Sequence, residues 1–95
     1  MGLSVHVEDL WHGRLDSFCD DAENSFMNLC RRMPADTLCS GVSPYGETLF
    51  NSIQLKRLVQ ELDDPDHLTN PVVAKVIEGA LRAIRRTGYL RFIGD

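Results

Sequence analysis

The chain has 95 residues, 43% hydrophobic and 25% charged, a composition and length that suit one soluble globular domain with a modest core. Its net charge of −4 and pI near 5.2 argue against nonspecific nucleic-acid binding, which runs on phosphate neutralisation by Lys and Arg. The charge is also too small to mimic a DNA backbone, and it suits a partner with a basic patch. No apolar run approaches the length of a membrane span. The first twenty residues carry His6, Glu8, Asp9, Arg14, Asp16 and Asp20, which leaves no apolar stretch for a secretory signal. Cys19, Cys30 and Cys39 cannot all pair within one chain, so a reducing cytoplasm is the expected setting.

Leu3, Val5 and Val7 alternate with Ser4, His6 and Glu8, the period-two pattern of a strand with one buried face. Trp11–Arg14 reads as a turn. Asp16 or Ser17 then caps a predicted first helix, with Phe18, Ala22, Phe26, Leu29, Cys30 and Met33 spaced by three and four. Asp20, Asp21 and Glu23 fall in its first turns and Arg31 and Arg32 in its last, the order the helix dipole favours, and Pro34 stops it.

Thr37–Val42 is β-prone, Ser43-Pro44-Tyr45-Gly46 is a turn signal, and Thr48-Leu49-Phe50 resumes an extended pattern, which together predict a hairpin. Asn51 or Ser52 caps a second helix bearing Leu55, Leu58, Val59 and Leu62, ended by Asp63-Asp64-Pro65-Asp66. Asn70 as cap and Pro71 at the first helical position open a third. Its apolar stripe is Val73, Val76, Ile77, Ala80, Leu81 and Ile84, and Gly88 is placed for a left-handed cap. Gly79 inside this helix costs about 1 kcal/mol against alanine, and it is either a point of close approach or tolerated drift. Tyr89–Asp95 reads as a terminal strand, which must be tied into a sheet if so apolar an end is not to fray.

The predicted fold is therefore a single two-layer α+β domain spanning residues 1–95, in the order β-α-β-β-α-α-β. Three helices cover one face of a small mixed sheet of about four strands.

No catalytic constellation stands out, and neither a cofactor nor a metal is expected. His6, His12 and His67 lie far apart and match no ligand spacing, while Asp63, Asp64 and Asp66 lack the calcium-loop register. Cys19 and Cys30 read as core filling beside the first helix's stripe. A nucleophilic Cys19 is opposed by the acids that follow it. Arg82, Arg85, Arg86 and Arg91 concentrate positive charge, but Glu78 pairs with Arg82 at i,i+4 and the others suit a helix C-terminus, so a solvated face is favoured.

The more informative surface is the one the helices leave open. If Leu3, Val5 and Val7 face inward, then Ser4, His6 and Glu8 face outward, joined by Tyr89, Arg91 and Ile93 at outward parity. That mix is enriched at recognition surfaces.

Pro44-Tyr45-Gly46-Glu47-Thr48-Leu49-Phe50-Asn51, followed by Gln54, together with the ending Tyr-Leu-Arg-Phe-Ile-Gly-Asp, resembles a group of small, largely uncharacterised bacterial proteins. These share a Tyr-Gly-x-Thr-x-Phe-Asn segment and a Tyr-Leu-x-Phe-Ile-Gly-Asp terminus. The resemblance covers about a third of the chain, implies a bacterial, cytoplasmic origin, and assigns no residue a role.

The leading expectation is a small non-catalytic protein that binds another protein and occludes its surface, as an inhibitor, immunity or accessory protein does. Trp11, Tyr45 and Tyr89 would anchor, Arg91 would contribute, and Asp63, Asp64 and Asp66 would steer toward a basic partner. The alternatives are a ligand-binding domain or enzyme using His6, His12, Tyr45 or Asn51, and a nucleic-acid contact through Arg82, Arg85, Arg86 and Arg91. Homodimerisation by pairing of an edge strand is compatible with each.

Overall fold

The computed structural model describes residues 2–94. Strand β1 (Ser4–Glu8) is followed by β2 (Arg14–Cys19), helix α1 (Ser25–Arg32), a 3₁₀ turn (Cys39–Gly41) and β3 (Glu47–Asn51). Helices α2 (Ser52–Leu62), α3 (Pro65–Leu68) and α4 (Pro71–Arg85) lead to β4 (Tyr89–Ile93). The strands form one sheet in the order β2-β1-β4-β3, and every adjacent pair is antiparallel. The α+β architecture with about four strands matches the expectation from sequence. Leaving aside the four-residue α3, the element order is β-β-α-β-α-α-β rather than β-α-β-β-α-α-β, and the sheet is antiparallel throughout rather than mixed.

The first departure lies at residues 14–24. After Glu8 the chain reverses through a loop organised by the Asp9 carboxylate, which accepts the N–H groups of Trp11 (2.9 Å) and Gly13 (2.8 Å) and closes the hairpin. Arg14–Cys19 then returns along β1 with Phe18 opposite Val5, and the N–H of Asp20 donates to the carbonyl of Leu3. Ladder hydrogen bonds and the packing of half-buried Phe18 beside buried Val5 outweigh the weak capping signal at Ser17. The helix begins only at Ser25. Its acids still serve its N-terminus from outside: Asp20 accepts from the N–H groups of Phe26 (3.0 Å) and Met27 (2.9 Å), and Asp21 from that of Ser25 (2.8 Å). Cys19 accordingly lies on an edge strand, exposed, and not beside the helix stripe.

The second departure is Thr37–Val42, expected as a strand. The carboxylate of Glu61 on α2 accepts the N–H groups of Leu38 (2.9 Å) and Cys39 (3.0 Å), which pulls this segment into a 3₁₀ turn against the helical layer. The predicted hairpin does not form, and β3 pairs with β4 instead.

Other local signals hold. Asn51 and Gln54 make a reciprocal capping box, Asn70 accepts from the N–H of Val72, and Pro71 opens α4. The short helix α3 is an unpredicted turn within the acidic segment, capped by Asp64. At the end of α4 the left-handed residue is Thr87 (φ 52°) rather than Gly88. The N–H of Gly88 bonds to the carbonyl of Ala83 and that of Thr87 to Ile84, a Schellman closure. Gly88 is needed for proximity: a Cβ there would stand 2.0 Å from the carbonyl oxygen of Glu8. Gly79 likewise marks a close approach, since a Cβ would meet Val7 Cγ2 at 3.0 Å where α4 crosses the sheet.

The core lies between the layers. Val5 and Val7 of β1, Leu90 and Phe92 of β4 and Phe50 of β3 meet Leu55, Leu58 and Leu62 of α2 and Val73, Val76 and Ala80 of α4. The terminal strand is central, flanked by β1 and β3, so the chain closes its own sheet with its last residues. The strand expected over Tyr89–Asp95 is observed over Tyr89–Ile93; Asp95 lies outside the described residues.

Candidate functional site, the open face of the sheet

In an antiparallel sheet, residues directly opposite share a face. The register therefore builds the outer face in three rows. Cys19, Ser4, Ile93 and Glu47 form one. Ser17, His6, Arg91 and Leu49 form the second, and Arg14, Glu8, Tyr89 and Asn51 the third. The helices cover the opposite face. The expectation that Ser4, His6, Glu8, Tyr89, Arg91 and Ile93 share an uncovered face is met.

In the third row of this face is a buried acid. Glu8 is only 6% exposed. Its carboxylate accepts from Arg91 Nε (2.7 Å) and Nη2 (3.2 Å) and from His12 Nδ1 (2.8 Å). The hydrogen bonds from Arg91 hold Glu8 below the usual carboxylate range, against the opposing effect of burial, and His12 assists. Arg91 also pairs with Glu47 from β3, and these two carboxylates hold the guanidinium firmly protonated. The hairpin loop keeps His12 in the left-handed region (φ 64°), and its ring stacks on Tyr89 with centroids 4.3 Å apart. His6, beside Arg91, has Nδ1 buried without a hydrogen-bond partner among the described residues. Burial, reinforced by the charges of Arg14 and Arg91 and partly offset by Glu8, lowers its pKa.

These shifts act on stability in one direction. His6 has a folded pKa below the ordinary value of about 6.5, so the unfolded chain binds more protons, and stability falls as pH drops from that value through the folded one. Glu8 adds stability that is present above about pH 4.3 and is lost as pH falls through its depressed value. The urea midpoint should therefore decline on acidification in two stages, with His6→Gln removing the first. A wild-type midpoint that stays level between about pH 7.5 and 5.5 would refute the assignment to His6.

The structure gathers some of the anchors named from sequence and disperses others. Tyr89 and Arg91 are neighbours of Glu8 and His6 on the open face, and Trp11, 85% exposed, stands in the hairpin loop one residue before His12. Tyr45, 79% exposed, lies near the opposite end, beside a cavity of about 160 Å³ shared with Leu3, Met27 and Arg31. Asp63, Asp64 and Asp66 belong to the helical layer at the α2–α3 junction, where Asp64 and Asp66 border a cavity of about 720 Å³ with Arg32 and His67. They stand apart from the open face.

Of the residues of the enzyme alternative, His6, His12 and Asn51 belong to the open face or its hairpin loop, Asn51 with its side chain engaged in a helix cap, while Tyr45 is remote. The arginine cluster is divided as well. Arg91 lies on the outer face between two carboxylates. Arg82 borders a groove of about 350 Å³ between α4 and β2, and Arg85 and Arg86 are exposed at the end of α4.

Leu49, 39% exposed, and Glu47 also belong to this face and were not identified from sequence. Their parity with Asn51 carried the signal, once β3 was paired with β4. Among the described residues no group of three or more His, Cys, Asp or Glu is placed to hold a metal ion, and no helix is long and apolar enough to cross a membrane. No protein-family model, curated protein or solved structure matches the chain.

Proposed function

We propose that this protein is a small non-catalytic binding module, of the inhibitor, immunity or accessory kind, that occludes the surface of a partner protein with the open face of its sheet. The observation that carries the reading is the make-up of that face. An ordered cluster of Arg91, Tyr89, His12 and Glu8 lies beside exposed Leu49 and Ile93, with a nearly fully exposed Trp11 in the adjoining hairpin loop. Aromatic and arginine side chains held in place by neighbours lose little entropy on docking and recur among interface hot spots. The ion pairs within the face neutralise much of its charge, so a partner meets a largely compensated surface with apolar side chains among the polar ones. Asp63, Asp64 and Asp66 lie in the other layer and would contribute long-range steering rather than contact.

Capture from a lysate of the source cells tests this, with wild type compared against Trp11→Ala, Leu49→Lys and a helical-layer control, Leu68→Ser. Trp11, Leu49 and Leu68 are exposed, so the folded domain should survive each change. A stoichiometric protein should co-elute with wild type and Leu68→Ser and be lost with the other two. Binding should weaken by roughly thirtyfold at a true anchor, or about 2 kcal/mol. Equal capture by all four proteins, or none by wild type, would sink the proposal.

A further inference from the structure

Cys30, on the inner side of α1, and Cys39, opening the 3₁₀ turn, are both completely buried. They are free thiols whose sulfurs lie 2.8 Å apart. We propose that Cys30 and Cys39 are a thiol–disulfide couple, a covalent site that staples the segment after α1 back onto that helix when the protein meets a disulfide oxidant of the glutathione class.

The geometry is in place before any bond forms. A disulfide holds its sulfurs at about 2.05 Å, so the pair has less than about 1 Å to close. Cys39 is positioned by contacts that do not involve its sulfur. Glu61 accepts the N–H groups of Leu38 and Cys39, and Arg57 in turn donates to Glu61 and to the carbonyl of Asp36. Cys30 is fixed by the helix. Two elements that meet for independent reasons thus present two thiols to each other, while Cys19 is exposed on the edge strand β2 and takes no part.

The exchange balances with glutathione disulfide as oxidant. One cysteine thiolate attacks a glutathione sulfur, forming a mixed disulfide and releasing one glutathione. The second cysteine attacks the protein-bound sulfur, forming the Cys30–Cys39 bond and releasing the other. Two electrons pass to glutathione, and the two protein thiol protons end on the two glutathione thiols. The adjoining Cys39 sulfur and burial raise the Cys30 pKa. Both thiols are fully buried, so exchange with glutathione runs when residues 33–42 open or while the chain folds.

The test uses the full chain carrying Cys19→Ser, a change at an exposed position, unfolded and refolded in a mixture of reduced and oxidised glutathione. Both remaining thiols should disappear, the protein should stay monomeric without glutathione adducts, and tryptic peptides carrying Cys30 and Cys39 should run as one linked species. Closing this short loop should raise the melting temperature by on the order of 10 °C, reversed by dithiothreitol. Adding Cys39→Ala should abolish that redox-dependent shift. If this second variant does not fold, the oxidised and reduced forms of Cys19→Ser alone decide the matter. Two titratable thiols after refolding, glutathione adducts in place of the internal link, or a lower melting temperature on oxidation would each overturn the proposal.

Discussion

Replacing Phe92 with alanine is expected to destabilise the domain by about 3–5 kcal/mol, the range for losing a fully buried aromatic. Phe92 is fully buried on the inner strand β4. Its ring lies 5.8 Å from those of both Phe26 and Phe50, stacked with the first and edge-on to the second. It thereby joins α1, β4 and β3 through one side chain. Truncation removes both aromatic contacts and leaves a cavity that a central strand, tied by ladder bonds on both sides, cannot collapse to fill. A domain of this length has total stability of order 5–10 kcal/mol, so the variant should sit near the limit of folding. Urea unfolding at neutral pH measures this. A loss below about 1 kcal/mol would mean that Phe92 is not at the centre of the core. Phe92→Leu should cost less, because it keeps part of the volume.

One residue earlier on the same strand, Arg91→Ala is expected to cost about 3 kcal/mol for a different reason. The substitution leaves Glu8 as a buried carboxylate stripped of its bidentate partner, and His12 is half exposed and a weaker substitute. The figure is at the low end for buried pairs because the Arg91 side chain retains 23% exposure. The test is a double-mutant cycle. Glu8→Gln combined with Arg91→Met should recover much of the loss, since it removes the stranded charge together with its partner. Losses that simply add would show that the two side chains are energetically independent. Glu47→Gln should change stability by less than about 0.5 kcal/mol, because Glu47 is more than half exposed and its pair with Arg91 is screened. The contrast between Phe92 and Arg91 also separates fold from function. Phe92 faces the helices and Arg91 the open side, so a destabilised but folded Phe92→Leu protein should keep the partner that Trp11→Ala loses.

The features legible from sequence are those whose causes lie within a few residues of one another. The alternation of Leu3, Val5 and Val7 with Ser4, His6 and Glu8 states which side of β1 is buried, because successive side chains on a strand must point opposite ways. The Asn51–Gln54 box and the Asn70–Pro71 start are local hydrogen-bond and backbone-angle effects, and both stand where they were expected. The composition of the open face followed from the parity of β1 and β4, and with it the grouping of His6, Tyr89 and Arg91.

What only the tertiary structure decided turns on contacts between residues distant in the chain. Residues 16–24 carry a helical spacing, yet Arg14–Cys19 is a strand because β1 offers a ladder of hydrogen bonds and a buried partner for Phe18. Thr37–Val42 has strand-forming residues, yet it coils because a carboxylate more than twenty positions later claims two of its N–H groups. The approach of Cys30 to Cys39, the burial of Glu8 beneath Arg91, and the space that Gly88 leaves for the carbonyl of Glu8 arise in the same way. Periodicity and capping sum interactions along one element. Pairing, burial and charge compensation depend on which elements meet, and that is settled by the energy of the whole packed chain.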